Sequence, residues 1–275
     1  MKQCSSFSLS VFLVCVFASA QAADVVIDVA PIRTDYRATE RSVNNTILNE
    51  EIGVLQGLSL RTELRRSVDR FAFDVSNLQG TINYQGATQI GLPITTNTNL
   101  RIVDYAFSYE SYDRPVSELG GAWLWSGIVS LGSRHIERDI LPTLVSTALT
   151  ETLTWRYARL GTRMEYLIFD KISVDAHATF ERGLKGVLDV NFHGLADNTT
   201  VYPSDANGYG IGVNVQWRAA RHITIGASYD LHDQKYGASP TQNLTQSGVP
   251  IGQLRYPGSK QILKTFGVHL IADLP

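Results

Sequence analysis

The stretch GYGIGVNVQWRAARHITIGASYDLH, residues 208–232, decides the fold. Tyr209, Ile211, Val213, Val215 and Trp217 are apolar at every second position, and Gly208, Gly210, Gly212, Asn214 and Gln216 fill the places between. After a polar break at 218–221 the alternation resumes, with Ile223, Ile225, Ala227, Tyr229 and Leu231 set against His222, Thr224, Gly226, Ser228, Asp230 and His232. A period of two sends successive side chains to opposite faces of a sheet, so these are two strands joined by a short turn into an antiparallel hairpin. The pattern alone leaves open which face is wet, because an apolar face meets a core in a soluble sandwich and lipid in a membrane barrel.

The N-terminus bears on that choice. Lys2, an apolar run over 7–17 and the small-residue series 18–23 have the layout of a secretory signal peptide, with Ala20-Gln21-Ala22 as the cleavage sequence. The expected organisation is a signal peptide over 1–22 and one β-barrel domain over 23–275. Both cysteines, Cys4 and Cys15, fall inside the signal, so disulfides do not stabilise the exported domain. The apolar run is shorter than the roughly 20 residues that a spanning helix needs. A chain of this kind enters a membrane only as a closed barrel. The net charge of -2 gives no electrostatic case for a nucleic-acid partner.

Other stretches repeat the alternation. Strands are expected over 25–39, 51–66, 71–84, 102–110, 123–134, 145–169, 172–181, 208–217, 223–232 and 265–274. Two irregularities are expected as β-bulges, one near Leu78 to Gly80 and one near Ala158 or Arg159, where the apolar residues of the long sixth strand change parity from Leu149, Leu153, Trp155 and Tyr157 to Leu160, Met164, Tyr166 and Ile168. The connections near 67, 116, 170 and 219 are short, and those near 45, 92, 140, 199 and 247 are mostly longer and polar. A meander of about ten strands sorted in this way is an all-β, transmembrane, antiparallel up-and-down β-barrel with its short turns at one membrane face. Phe71, Tyr109, Trp123, Tyr166 and Trp217 share the apolar face beside the short turns and read as an aromatic girdle.

An even strand count brings the first and last strands together and removes the exposed edge. Over the whole mature chain the sequence resembles the Gram-negative outer-membrane β-barrel proteins. The resemblance implies an outer-membrane location, contact with outer-membrane lipid and lipopolysaccharide, and insertion by the barrel-assembly machinery. Thr265, Gly267 and Leu270 match the terminal-strand signal of that class, and Pro275 stands where a terminal aromatic is usual.

The second face of the strands collects a polar set expected to line the lumen: Arg61, Glu63, Arg134, Arg156, Arg163, Glu165, Asp175, His177 and Glu181. Carboxylates and guanidinium groups in similar number suit a lumen filled by ion pairs, because unpaired buried charge is too costly to keep. Asp230-x-His232 is the sharper candidate for chemistry, since a carboxylate two residues from an imidazole on one strand face can orient or charge it. The pair resembles the Asp-x-His of omptins, ten-stranded outer-membrane proteases, but their Asp-x-Asp partner has no counterpart here. No cofactor or metal motif is present, and no phosphate loop or nucleophile elbow. The expectation is therefore a non-enzymatic narrow pore or surface-loop scaffold, the alternative being an omptin-like or lipid-modifying hydrolase with Asp230 and His232 at the extracellular rim.

Overall fold

The computed structural model describes residues 24–42, 44, 46–87, 92–112, 122–169 and 171–274, so the signal peptide expected over 1–22 lies outside the described residues, as do Ala23 and Pro275. Among the described residues the strands in chain order are β1 (Asp24–Arg41), β2 (Ile47–Arg65), β3 (Asp69–Ala87), β4 (Pro93–Tyr112), β5 (Ala122–Ile140), β6 (Leu149–Phe169), β7 (Ile172–Asn191), β8 (Thr199–Val201), β9 (Ala206–Ala220), β10 (Ile223–Tyr236), β11 (Gln242–Gln246), β12 (Val249–Leu254) and β13 (Gly258–Leu274). The wall is a meander of ten antiparallel strands, β1 to β7, β9, β10 and β13, closed where Val29 faces Leu270 and Tyr36 faces Leu263 across the β1–β13 pair. Closure gives every wall strand two partners, which leaves no free edge. β8 extends the upper end of β7, and β11–β12 is a separate two-stranded hairpin.

Apart from β6, the wall strands are longer than the alternating segments of the sequence, and most of the added length lies away from the short turns at 66–68 and 221–222. We call the end with those turns the lower end. β3 shows what happens above it. Phe71, Phe73 and Val75 point outward near its lower end, and Asn77, Gln79, Thr81 and Asn83 point outward further up. The inner face changes in the opposite sense, from Arg70 and Asp74 to Leu78, Ile82 and Tyr84.

That exchange replaces both expected bulges. β3 pairs with β4 in unbroken register through Leu78 and Gly80, and its ladder with β2 keeps one register on either side of a gap at 80–82, so neither side gains a residue. β6 pairs with β5 without a slip from Leu149 to Leu167. The parity change in β6 is a change of surroundings: Leu153, Trp155 and Tyr157 fill the upper interior, whereas Leu160 and Met164 face outward below. The irregularity near this level is one strand over. Arg156 pairs with Lys185 and Tyr157 with Gly183, so the extra residue is Leu184 of β7. A Cβ on Gly183 or Gly186 would lie 1.9 Å from the Trp155 indole, so the two glycines let that ring lie against the bulged strand.

Side chains from every wall strand converge in the upper interior: Tyr36, Leu55, Leu78, Ile82, Leu100, Ile136, Trp155, Leu188, Ala206, Tyr236 and Leu263 belong to one buried apolar cluster. Val201 of β8 and Tyr256, just before β13, join it from above. The neighbouring void has a volume of only about 10 Å³, room for about one water molecule, so this level is filled.

Candidate functional site in the barrel interior

Below the apolar cluster the interior holds a cavity of about 370 Å³ walled by charged and hydroxyl side chains. Inward parity on each strand puts Arg61, Glu63, Arg134, Arg163, Glu165, Asp175, His177 and Glu181 on this face. Arg156 is the exception. With no bulge in β6 it points outward, and Arg159 stands inside in its place, donating through Nη2 to Glu181 at 2.8 Å.

Most of the charges are paired, in a lower and a higher net. Arg61 donates to Asp74 at 2.9 Å and also to Glu63, which accepts from Arg65 at 2.7 Å. Arg70 donates to Glu110 at 2.6 Å, and Ser126 donates to the same carboxylate. Arg163 stands between Glu110 at 3.7 Å and Asp175 at 3.6 Å. Higher up, Arg134 donates to Asp104 at 2.7 Å, and Tyr157 donates to the second oxygen of Asp104 at 2.5 Å. Gln234 donates to Glu181 at 2.5 Å and accepts from Tyr236 at 2.8 Å. Tyr157 and Tyr236 thus carry a ring in the apolar cluster and a hydroxyl in the charged net, joining the two levels.

A second ionic centre lies within the upper half. Arg138 bridges Glu40 at 3.0 Å, Glu51 at 3.0 Å and Glu151 at 2.5 Å, from four different strands. These carboxylates belong to β-segments whose upper faces the sequence pattern did not resolve.

Asp230 and His232 both face inward, and the imidazole that Asp230 meets is that of His177. Asp230 Oδ1 lies 3.1 Å from Nε2 of His177, on β7, across the intervening β9. Gly212 of β9 makes the contact possible, since a Cβ there would sit 2.2 Å from Asp230 Oδ1 and 2.4 Å from the His177 ring. His232 lies over Gly210, where a Cβ would meet its ring at 2.6 Å. Both residues are at mid-height, beneath Tyr236 of the apolar cluster, and not at the upper rim where the sequence reading put them. Alternate glycines along β9 therefore form a floor over which side chains of β7 and β10 meet.

Sequence reading also missed a linear chain of groups on three adjacent strands. His269 of β13 has Nδ1 2.9 Å from Oδ2 of Asp28 on β1 and Nε2 2.9 Å from Oγ of Ser228 on β10. Asp28 and Ser228 are 200 positions apart, so only closure of the sheet brings them to one imidazole.

Outside, Phe71, Tyr109, Trp123, Tyr166 and Trp217 form a low ring of aromatics. Phe71 and Tyr109 have centroids 5.1 Å apart, Trp123 and Tyr166 4.4 Å. A second set, Tyr105, Phe180, Tyr209, Tyr229 and Phe266, is exposed further up, with Phe180 and Tyr209 5.3 Å apart. Tyr209 and Trp217 are eight positions apart on β9. At ~3.3 Å per residue and a tilt of about 40° they bracket ~20 Å of wall, close to the apolar band of a membrane barrel. Between them the exposed side chains are Ile211, Val213 and Val215 on β9 and Val268 and Leu270 on β13.

An outward apolar belt between two aromatic rings, on a closed wall with a charged interior, places the architecture. The fold is a ten-stranded outer-membrane β-barrel. The outer membrane protease OmpT from Escherichia coli is similar to it in structure, with a TM-score of 0.57 and 7% sequence identity over 92% of this chain and 96% of that one. Neisserial surface protein A gives a TM-score of 0.36 at 8% identity, covering 90% of this chain and 98% of that one. The Pseudomonas putida toluene transporter TodX gives 0.35 at 8%, covering 92% and 90%. At 7% identity the likeness to OmpT is one of fold. No protein-family model and no curated protein matches the sequence.

Above the barrel, the long connections are tied together. Asp197, before β8, accepts from Thr245 Oγ1 at 2.7 Å and from the backbone N–H groups of Ser247 and Gly248, each at 3.0 Å. Ser247 and Gly248 have φ of 50° and 79° and form the two-residue turn of the β11–β12 hairpin. The Thr245 hydroxyl, followed by the N–H of Gly248, holds the Asp197 carboxyl below its usual pKa. Burial raises the pKa of Tyr256.

Proposed function

We propose that this chain is a non-conducting outer-membrane barrel that presents its upper extension and tied loops at the cell surface as a scaffold for contact with partners outside the cell. The observation that carries the reading is the apolar cluster to which every wall strand contributes. Water and ions avoid a dry, packed layer of this kind, so the cluster supports a closed scaffold over a narrow pore. In this reading the belt between the two aromatic rings contacts outer-membrane lipid and lipopolysaccharide. Thr265, Gly267 and Leu270 on the closing strand are read by the insertion machinery. The rim-protease alternative loses support, because Asp230 is engaged by His177 and both Asp230 and His232 lie beneath the cluster.

Planar-bilayer recording of the detergent-refolded chain tests the proposal. The wild type is expected to show heat-modifiable migration on a denaturing gel and no steady conductance. Trp155→Ala combined with Tyr236→Ala should open unitary steps by removing two large rings from the plug. Stable single-channel conductance in the wild type would overturn the closed reading.

A further inference from the structure

The Asp28–His269–Ser228 chain is more than part of the ion net. Its three members sit on adjacent strands β1, β13 and β10, and all line the 370 Å³ cavity. Asp28 contacts only one nitrogen of the imidazole, through both its oxygens, at 2.9 and 3.1 Å. With that nitrogen carrying the proton, Nε2 is left as the acceptor for the Ser228 hydroxyl at 2.9 Å. The side chains of Asp28 and His269 are each 16% exposed, which shields them without sealing them off. The other Asp–His contact in the cavity differs, for His177 meets Asp230 through Nε2 and its Nδ1 has no hydrogen-bond partner. Gly267 supplies the space, since a Cβ there would lie 2.9 Å from Ser228 Oγ and 3.0 Å from His269 Nε2.

We infer that Ser228 is a nucleophile activated by His269 and oriented through Asp28, and that the lower cavity is an acyl-transfer site for small polar esters. A carboxylate fixing one ring nitrogen while the other takes the proton of a serine is the arrangement that makes a hydroxyl nucleophilic at neutral pH. The cavity volume is at the small end of ligand sites, and its walls are charged and hydroxylic, which favours a short polar acyl donor over a fatty chain. Ser228 Oγ adds to the ester carbonyl as its proton passes to His269 Nε2. The ester C–O bond then breaks, and the departing alkoxide takes that proton. Water, deprotonated by His269, next cleaves the acyl-serine to a carboxylic acid and restores Ser228. Gln216, on the strand beside Ser228, lines the same cavity and carries amide N–H groups suited to a developing oxyanion.

The site goes beyond the closed-scaffold reading, and its test has its own readout. Detergent-refolded barrel is treated with phenylmethylsulfonyl fluoride, and the sulfonyl adduct is located by peptide mass mapping, with 4-nitrophenyl acetate turnover followed in parallel. An adduct on Ser228 is expected, absent in Ser228→Ala. Labelling should slow by about 100-fold or more in His269→Gln. An unmodified Ser228 in folded barrel, or equal labelling in His269→Gln, overturns the proposal. If His269→Gln does not fold, Ser228→Cys replaces it, since both native cysteines, Cys4 and Cys15, precede the barrel. Alkylation of that thiol by iodoacetamide should be faster below pH 8 than that of a free cysteine, and free-cysteine behaviour overturns the proposal. Conductance is not read in any arm, so failure here leaves the closed-barrel result separate.

Discussion

The lower and upper halves of this barrel are built on the same strands and solve opposite problems. Below, Leu58 is 60% exposed on the outer wall while Glu63 is buried inside. Above, on the same strand, Leu55 is fully buried inside and Gln56 is exposed outside. The lower half has an oily exterior around an ionic interior, as a membrane requires. The upper half packs an apolar core around one ionic centre, and on β3 its exterior is polar, as water requires, although β2 still turns Val54 and Ile52 outward. A fully buried leucine in the plug contributes about 1.5–3 kcal/mol on folding relative to exposure. Leu58 realises a comparable gain only when the wall enters lipid. The β4–β5 and β5–β6 ladders run without a slip through the boundary, so solvent and not a break in the strands sets where the two halves meet there.

The sharpest way to break this comparison is to unbalance the ionic centre that the upper core encloses. Arg138→Ala strands Glu40, Glu51 and Glu151 without their shared cation. A loss of about 3–5 kcal/mol is expected in urea unfolding of the refolded barrel. A loss under about 1 kcal/mol would mean that water, and not a dry core, surrounds that site.

A paired substitution on the outer wall sharpens the boundary. Leu60→Arg, on the outer wall midway between Leu64 and Gln56, should cost about 2–4 kcal/mol in lipid bilayers, near the cost of an arginine at the midplane. Gln79→Arg, outward on the upper wall, should change stability by no more than ~0.5 kcal/mol. Equal costs at the two positions would remove the division between lipid-facing and water-facing wall.

Gly212→Ala tests the floor of the lower cavity. Its Cβ must displace the Asp230–His177 contact, and a cost of about 1–3 kcal/mol is expected from overpacking, read by the same unfolding assay. The corresponding change at Gly252 of the β12 hairpin, where a Cβ meets nothing within 4 Å, serves as the control.

The smallest effect belongs to the loops. The Asp197 carboxyl is held below its ordinary pKa, so its contribution to the hairpin is fully present above the ordinary value of about 4. That contribution fades as pH falls from there through the lowered value. Hydrogen exchange at Ser247 and Gly248 should accelerate on acidification through that window, beyond the intrinsic pH trend. Asp197→Asn should show the faster exchange already at neutral pH, and unchanged protection in that variant would show that Asp197 is not the clasp.

Much of the lower half was legible in the sequence because both of its faces obey one rule. Tyr209 to Trp217 and Ile223 to Leu231 alternate cleanly, and the outward and inward sets of the lower wall fall on the parities they imply. The upper half was not legible for the same reason. Where the wall leaves lipid, apolar residues move to the inner face, so a reader holding the outside to be oily ends each strand early or inserts a bulge. Arg156 was assigned to the lumen through the bulge inferred in β6, and unbroken pairing with β5 returns it to the exterior.

Period-two alternation, the position of the short turns and the even number of strands were enough to determine a closed up-and-down barrel with a charged lower interior, because each is a local consequence of side-chain direction along a strand. Tertiary structure alone decided which charges meet, that the upper interior is packed, and that Asp28, Ser228 and His269 form one hydrogen-bonded chain. Those contacts depend on which strands become neighbours when the sheet closes and on the stagger between them, and no local period in the chain encodes either.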